Sequence, residues 1–278
     1  MFSRAAVLLS GETSGKPIWR VDYGTRLRDV AGVLALAVEA GSNAVNREYL
    51  INRITRVSGP LSTQESAWSL LAAHSLINTP EESGVLVNGK SVDGPFVQVM
   101  EGQSPAGGMQ VSAASGRSTD ITLTTLGVPM VGLDAGGTGY TLERRYFTLE
   151  GVPIERRTFA VGERFVTVLR VTPHEDVGAR LMVNDPLPAG IEIDNPNLLR
   201  SGDLRDLDWL NLSNARHAEF RSDRFLAAVD WRGRDVVTLG YIARAVTPGS
   251  FHHPAASVED MYRPVYRART GTGQVIVR

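Results

Sequence analysis

The hydrophobic period of the sequence changes at Thr79 and Pro80. Before this point apolar residues recur at helical spacing and are flanked by helix caps. After it, most apolar runs are short and alternate with polar residues, as in strands. The helical part predicts only three helices, which are too few to close a domain around their own core. We therefore expect the chain to be the end of a larger protein, whose function depends partly on residues outside it.

Three helices are predicted in the first part. Residues 26–40 place an apolar stripe on one face and end at Gly41, where a left-handed cap is expected. Residues 46–57 repeat the pattern, and Ser62 with Glu65 forms a capping box that begins the third helix. The first and third helices carry apolar residues on more than one face, so we expect further helices to cover them.

The second part predicts short strands separated by polar turns. Residues 85–87 precede Asn88 and Gly89, which together are the strongest short hairpin signal. Many short strands without intervening helices indicate an antiparallel β-sandwich. Residues 204–212 are the one later stretch that we predict as a candidate helix. The other predicted strands are 96–100, 109–111, 121–126, 140–149, 165–171, 179–183, 224–231, 236–245 and 274–277.

The composition excludes several chemistries. The chain has no cysteine, so these residues hold no disulfide, thiolate zinc site, cysteine nucleophile or internal thioester. The net charge is -1 with acidic and basic residues interleaved, which argues against a nucleic-acid-binding face. The apolar run at residues 5–9 is too short for a signal core, and no segment reaches the roughly 20 apolar residues of a membrane span. We therefore expect the amino end to be a cut point.

The metal-ligating residue types do not fall at the spacings of known metal sites. The five histidines are scattered, and the adjacent His252 and His253 are expected on opposite faces of a strand. Asp203, Asp206 and Asp208 form a small acidic cluster, but the glycine turn and closing glutamate of a calcium loop are missing. We therefore predict no metal site.

Catalytic patterns are also missing from the sequence. Residues 136–139 read Gly-Gly-Thr-Gly, but a strand is predicted after them where a phosphate loop needs a helix, so we predict a flexible connector. No serine lies in a nucleophile elbow. The four tryptophans are spread along the chain and indicate separate core anchors. We therefore predict no catalytic or cofactor-binding residue, and we expect that the chain is not an enzyme.

Two long motifs lie in the second half. One is NDPLPAGIEIDNP at residues 184–196, and the other is RAVTPGSF at 244–251, which continues through EDMY at 259–262 to RAR at 267–269. Both closely resemble the carboxyl-terminal macroglobulin-like domain of bacterial α2-macroglobulins, and HAEFRSDRF at 217–225 is similar to the same domain. STQESAW at 62–68 resembles a late helix of the thioester-containing domain of that family, an α/α-toroid. In that family the toroid is inserted into a CUB-type β domain. VNGK at 87–90 resembles the segment where the chain re-enters this β domain after the toroid.

The resemblance implies a mixed fold in which α and β parts form separate units. Residues 1–79 would be the carboxyl-terminal helices of the α/α-toroid thioester domain. Residues 80–139 would be a CUB-like β segment. Residues 140–278 would be the terminal macroglobulin-like β-sandwich, so the resemblance covers essentially the whole chain in the domain order of the family.

The resemblance also implies a function. Proteins of this family are broad-spectrum endopeptidase inhibitors in which a protease cuts a bait region, the molecule changes shape, and an activated thioester captures the protease. A thioester needs a cysteine and a glutamine in a short motif. This chain has no cysteine, and Gln64 lacks the neighbouring motif residues. We therefore expect bait region and thioester upstream, and we expect this part to shield the thioester and to transmit the shape change.

Partners and location are further implications of the resemblance. The implied partners are the upstream domains of the same polypeptide, the target proteases, and a peptidoglycan synthase of the penicillin-binding class, with no nucleic acid. The implied location is the bacterial periplasm, with an inner-membrane anchor through an amino-terminal lipid outside this chain. No cofactor is implied.

Two other classes of protein compete with this interpretation. A β-sandwich adhesion or carbohydrate-binding module attached to an α/α-toroid enzyme would need an aromatic platform and glycan affinity. A hydrolase would need an active site, and the missing motifs argue against it.

Overall fold

The computed structural model describes residues 1–11, 20, 22–77, 85–92, 98–99, 108–114, 124, 127, 130–176, 178–194 and 207–278. The chain forms two compact units. The first unit comprises Met1–Ser58 and Thr63–Val128, and the second comprises Gly59–Ser62 and Pro129–Arg278. Within the described residues, no helix is both long and apolar enough to cross a membrane.

The first unit contains the helices that the sequence predicts, and one more. The described helices are α1 (Phe2–Ser10), α2 (Arg26–Glu39), α3 (Arg47–Thr55) and α4 (Thr63–Ile77). The last three confirm the prediction to within two residues at the bounds that are described. Helix α1 is not among the predicted helices, because the apolar run at its centre is short and resembles the core of a signal segment.

Helix α2 is defined by caps at both ends. The Thr25 side chain accepts a hydrogen bond from the Arg28 amide at the start of the helix. At the other end Gly41 has a φ of 61°, and the Ser42 amide donates to the Ala37 carbonyl at 2.8 Å. This is a Schellman motif, in which glycine takes the left-handed position without steric cost. The predicted cap at Gly41 is confirmed.

The helices share a small apolar core. The helical cluster is built around buried residues of α2 and includes Leu9, Val30, Leu34, Leu50 and Ala72. Large apolar side chains outside the cluster remain exposed within this unit, including Val7, Leu8, Leu36, Leu70 and Leu71. The sequence expectation that these helices carry more apolar surface than they cover is therefore confirmed for the described residues.

A small antiparallel sheet completes the described part of the first unit. Its strands are β1 (Val85–Val87), β2 (Lys90–Val92) and β3 (Val111–Ala113), in the order β2-β1-β3. Asn88 and Gly89 both have positive φ, at 50° and 77°, as a type I′ turn requires. The predicted hairpin is confirmed, whereas β3 lies two residues beyond the predicted 109–111. The strands predicted at 96–100 and 121–126 fall almost entirely outside the described residues.

The second unit is an antiparallel β-sandwich. Its described strands are β4 (Gly136–Thr138), β5 (Tyr140–Phe147), β6 (Pro153–Ile154), β7 (Thr158–Phe159), β8 (Arg164–Pro173), β9 (Ala179–Pro186), β10 (Ile191–Ile193), β11 (His217–Phe220), β12 (Arg224–Trp231), β13 (Val237–Ala245), β14 (Gly249–His253), β15 (Ser257–Asp260), β16 (Arg267–Arg269) and β17 (Gly273–Val277). The predicted sandwich is confirmed, and its long strands fall where the sequence predicts them.

The strands form two large sheets and one small sheet. A five-stranded sheet has the order β10-β13-β8-β5-β6, and a six-stranded sheet has the order β11-β12-β9-β15-β16-β4. The small sheet has the order β14-β17-β7, in which β7 runs parallel to β17. Side chains from both large sheets join in one buried cluster that includes Leu169, Val171, Leu181, Val183, Phe225 and Tyr241.

Two expectations for this unit are wrong. Gly136–Thr138 is not a flexible connector but strand β4, paired with β16. Its glycine permits a close approach, because a Cβ at Gly137 would lie 2.5 Å from the Ala268 Cβ. Residues 207–212, the described part of the candidate helix 204–212, contain no helix. Their apolar side chains, including Trp209, instead pack on the outer face of the five-stranded sheet beside Val166 and Ile242.

Candidate functional site

The described residues form no candidate metal site. Three or more histidine and acidic side chains do not converge anywhere in the described ranges. His252 is exposed and His253 is buried, so this pair lies on opposite faces of β14 as predicted. Asp203 and Asp206 lie outside the described residues, and Asp208 lies in a turn.

The tryptophans pack individually. Trp68 lies against the helical cluster, and Trp231 packs at the border of the sandwich core. Trp209 covers the outer face of the five-stranded sheet, and its Nε1 donates to the Leu149 carbonyl at 2.9 Å. Trp19 lies outside the described residues. The prediction of separate anchors is thus confirmed for the three tryptophans that are described.

An ion pair joins the two large sheets inside the sandwich. Arg144 points inward from β5, and its Nη1 donates to Asp185 Oδ1 of β9 at 2.6 Å. The Tyr241 hydroxyl, from β13, donates to the other carboxylate oxygen of Asp185 at 2.8 Å. Arg144 also donates through Nη2 to the Pro254 carbonyl at 2.9 Å. The side chain of Asp185 is completely buried and that of Arg144 nearly so, so each charge depends on these partners.

The electrostatics of this pair follow from its burial. Burial raises the pKa of the Asp185 carboxyl, and the Arg144 charge and the Tyr241 hydroxyl oppose that rise. Burial is the largest influence on the pKa of the Arg144 guanidinium and lowers it, but the charge and hydrogen bond of Asp185 together with the neighbouring Tyr146 and Tyr241 outweigh burial, so that pKa is raised. The pKa of Tyr241 is raised well above its usual value by burial and by the Asp185 charge, which keeps the hydroxyl protonated as a donor.

A second polar contact lies beside the ion pair. The Tyr146 hydroxyl is 3.3 Å from His253 Nδ1, and both side chains are buried. The Arg157 guanidinium lies over the Tyr146 ring, 4.7 Å from its centre. Burial and the charges of Arg144 and Arg157 lower the pKa of His253 to about 3. His253 is therefore neutral in the folded protein at neutral pH.

The low pKa of His253 makes the sandwich sensitive to acid. Below the ordinary histidine pKa of 6.5, the unfolded chain binds a proton that the folded chain does not bind until pH falls to about 3. The free energy of unfolding therefore falls as the pH drops through this window, by about 2 kcal/mol between pH 7 and pH 5 from this group. We expect His253→Gln to remove that part of the pH dependence, as measured by urea unfolding followed by tryptophan fluorescence.

The matched control for this prediction is His217→Gln, because His217 is exposed in the same unit. This control should keep the pH dependence of the parent chain. If His253→Gln and the parent lose the same free energy between the two pH values, the assignment of a neutral buried His253 is wrong.

The two long motifs contact each other in the fold. Asp194, in the first motif, accepts hydrogen bonds from Arg164 and from Arg244 of the second motif. A Cβ at Gly190 would lie 2.2 Å from the Phe251 ring, so glycine is required where the two motifs pack. These contacts join the two motifs within the sandwich.

The Arg144–Asp185 pair was missed by sequence reasoning, although a signal for it was present. On β5 the inward positions are Tyr140, Leu142, Arg144 and Tyr146, and on β9 Asp185 continues an alternating row of buried residues. When the inward-facing residues of a strand are otherwise apolar, a charged residue among them predicts a buried partner of opposite charge.

Comparison with known proteins agrees with this fold. The family model described as Bacterial Alpha-2-macroglobulin MG10 domain matches residues 139–264. The α2-macroglobulin of Escherichia coli (strain K12) is 31% identical over 291 residues, which cover 99% of this chain and 18% of that protein. The crystal structure of native E. coli α2-macroglobulin, spanning domain MG7 to the C-terminus, gives a TM-score of 0.72 at 27% identity. That match covers 98% of this chain and 45% of the other.

A second structure of the E. coli protein was solved after activation by porcine elastase. It gives a TM-score of 0.51 at 29% identity and covers 98% of this chain and 26% of the other. The sandwich of the second unit is therefore of the macroglobulin-like class. The chain belongs to the bacterial α2-macroglobulin family. It spans 18% of the length of the curated E. coli relative.

Proposed function

We propose that this chain is the carboxyl-terminal part of a bacterial α2-macroglobulin, an endopeptidase inhibitor that traps proteases after bait cleavage, and that it is not an enzyme. The observation that carries the proposal is the similarity of nearly the whole chain to the E. coli protein, with the MG10 match on the sandwich.

The proposal assigns a role to each part of the chain. Residues 1–79 are the last helices of an α/α-toroid thioester domain, 80–139 are a CUB-like segment, and 140–278 are the terminal macroglobulin-like domain. The exposed apolar side chains of α1 and α4 agree with helices that pack against others in a larger polypeptide. The proposed location is the periplasm, with the membrane anchor elsewhere in the polypeptide.

In this proposal the sandwich shields the thioester and transmits the shape change. Since the chain has no cysteine, the thioester belongs to another part of the polypeptide. A domain can transmit a movement only if it keeps its own shape, and the buried ion pair between Arg144 and Asp185 ties the two sheets together. The sandwich would then move away from the thioester as one rigid body after bait cleavage.

The two E. coli structures support a change of shape in this region of the family. The match to the native form has a TM-score of 0.72 and the match to the elastase-activated form 0.51, each over 98% of this chain. This chain is therefore more similar in structure to the native form of the E. coli protein than to the activated form. A change of shape in this region on activation is part of the proposal.

The test is the rate of spontaneous thioester loss in the full-length polypeptide. Hydrolysis of the thioester frees its cysteine thiol on the protein, which is measured with a chromogenic disulfide, and methylamine treatment sets the maximum signal. Deletion of residues 140–278 is expected to speed thiol release several-fold, because water then reaches the bond. Circular dichroism of the deletion variant establishes that the remaining domains are folded. An unchanged rate in a folded variant would reject the shielding role.

A further inference from the structure

Strand β5 has an open backbone edge. The His174 amide donates to the Gly139 carbonyl at 2.9 Å, and the antiparallel register with β8 continues this pattern along the odd-numbered residues of β5. The even-numbered residues therefore direct their N–H and C=O groups to the other side. On that side β6 pairs only with Tyr146 and Phe147. Among the described residues, the backbone groups of Leu142 and Arg144 have no strand partner.

A groove runs along this open edge. One cavity of about 390 Å³ lies between β5 and residues 153–157, and a second of about 410 Å³ lies between β5 and residues 270–272. Arg144, Arg145 and Arg157 line both cavities, so the two lie next to each other along the strand. Together they form a groove that follows β5 past Leu142 and Arg144, which is the place that an added strand would occupy.

The charges in the groove are unevenly balanced. Arg144 is neutralised by Asp185, and Arg145 pairs with Glu143 at 3.0 Å. Arg157 stacks on Tyr146 but makes no ion pair with any described carboxylate. Among the described lining residues, the other charge without an ion pair is Glu155, which lines only the cavity beside β6. The cavity beside Leu142 therefore keeps one uncompensated positive charge, at Arg157.

We propose that this groove binds an extended acidic peptide segment by strand addition to β5. The peptide backbone would exchange hydrogen bonds with the N–H and C=O groups of Leu142 and Arg144, which offer up to four bonds. A glutamate or aspartate on the peptide would face Arg157. An exposed strand edge also carries a risk of self-association, and the charged side chains of Glu143 and Arg145 beside it limit pairing with apolar strands. This site is independent of the proposed role in thioester shielding.

The test uses the 278-residue chain and a synthetic seven-residue peptide of alternating threonine and valine with a central glutamate. Hydrogen exchange read residue by residue is expected to slow at the Leu142 and Arg144 amides when the peptide is added. The same peptide with a central lysine should bind about tenfold more weakly, since it replaces an attraction at Arg157 by a repulsion.

Two variants measure the contribution of the Arg157 charge separately from that of the backbone hydrogen bonds of β5. Arg157→Gln should bring the affinities of the two peptides close together, whereas Arg232→Gln should leave the tenfold ratio unchanged. Arg232 is a suitable control because it is exposed and makes no ion pair among the described residues. Unchanged exchange at Leu142 and Arg144 with millimolar peptide would overturn the proposal. Equal affinity of the parent chain for both peptides would also overturn it, and that comparison does not depend on how either variant folds.

Discussion

Replacing Asp185 by asparagine is expected to lower the free energy of unfolding of the sandwich by about 3–5 kcal/mol. The carboxylate is completely buried and accepts hydrogen bonds from Arg144 and Tyr241. Its loss leaves the Arg144 charge buried without a counter-charge, and an isolated buried charge is far more costly than a missing surface contact. Urea unfolding of Asp185→Asn and the parent chain, followed by tryptophan fluorescence, measures the difference.

The matched control is Asp223→Asn. Asp223 also pairs with an arginine, Arg224, at 2.8 Å, but both side chains are exposed. Because water screens this pair, we expect almost no change in stability. Similar small losses for both variants would show that the inter-sheet pair does not hold the sheets together. Replacing Arg144 and Asp185 together by methionine and leucine should recover much of the lost stability, since no unpaired charge then remains.

Truncating Phe225 to alanine is expected to destabilise the sandwich by about 3–5 kcal/mol. Its ring is 2% exposed on β12 and lies 5.1 Å from the Tyr241 ring, which belongs to the opposite sheet. Removing it leaves a cavity between the sheets that neighbouring strands cannot fill, because interiors are close-packed. The same urea titration measures the loss.

Phe220→Ala is the control for this prediction. Phe220 lies next to Phe225, with ring centres 5.4 Å apart, but it is only partly buried at the edge strand β11. Its truncation should cost clearly less than that of Phe225, because less apolar surface is removed from the core. Equal losses would mean that the core does not lie where the two large sheets meet.

The regular parts of the fold were predictable because each carries a local signal. Gly41 indicates the end of α2, and the pair Asn88 and Gly89 predicts the β1–β2 hairpin. The long strands β8 and β13 were found from their continuous or alternating apolar residues. In each case the physical cause lies within a few residues of the chain, so the sequence alone is sufficient.

The remaining features depend on contacts that are distant in sequence. Residues 136–139 are predicted as a flexible connector because the strand partner of Gly137 cannot be identified from nearby residues. That partner, Ala268, is far along the chain. Residues 207–212 have helix-compatible spacing, but Trp209 and Leu210 are held against the five-stranded sheet. The pairing of Arg144 with Asp185 likewise requires knowledge of which strands face each other.

The most direct test of the account is the mass of the native polypeptide. An immunoblot of the host, with an antibody raised against the sandwich, detects whatever chain carries these residues. Since the chain covers 18% of the E. coli relative, we predict a product several-fold larger than 30.1 kDa, which shifts to smaller pieces when a protease cuts the bait region. A stable product of about the mass of this chain, with no larger form, would contradict the account.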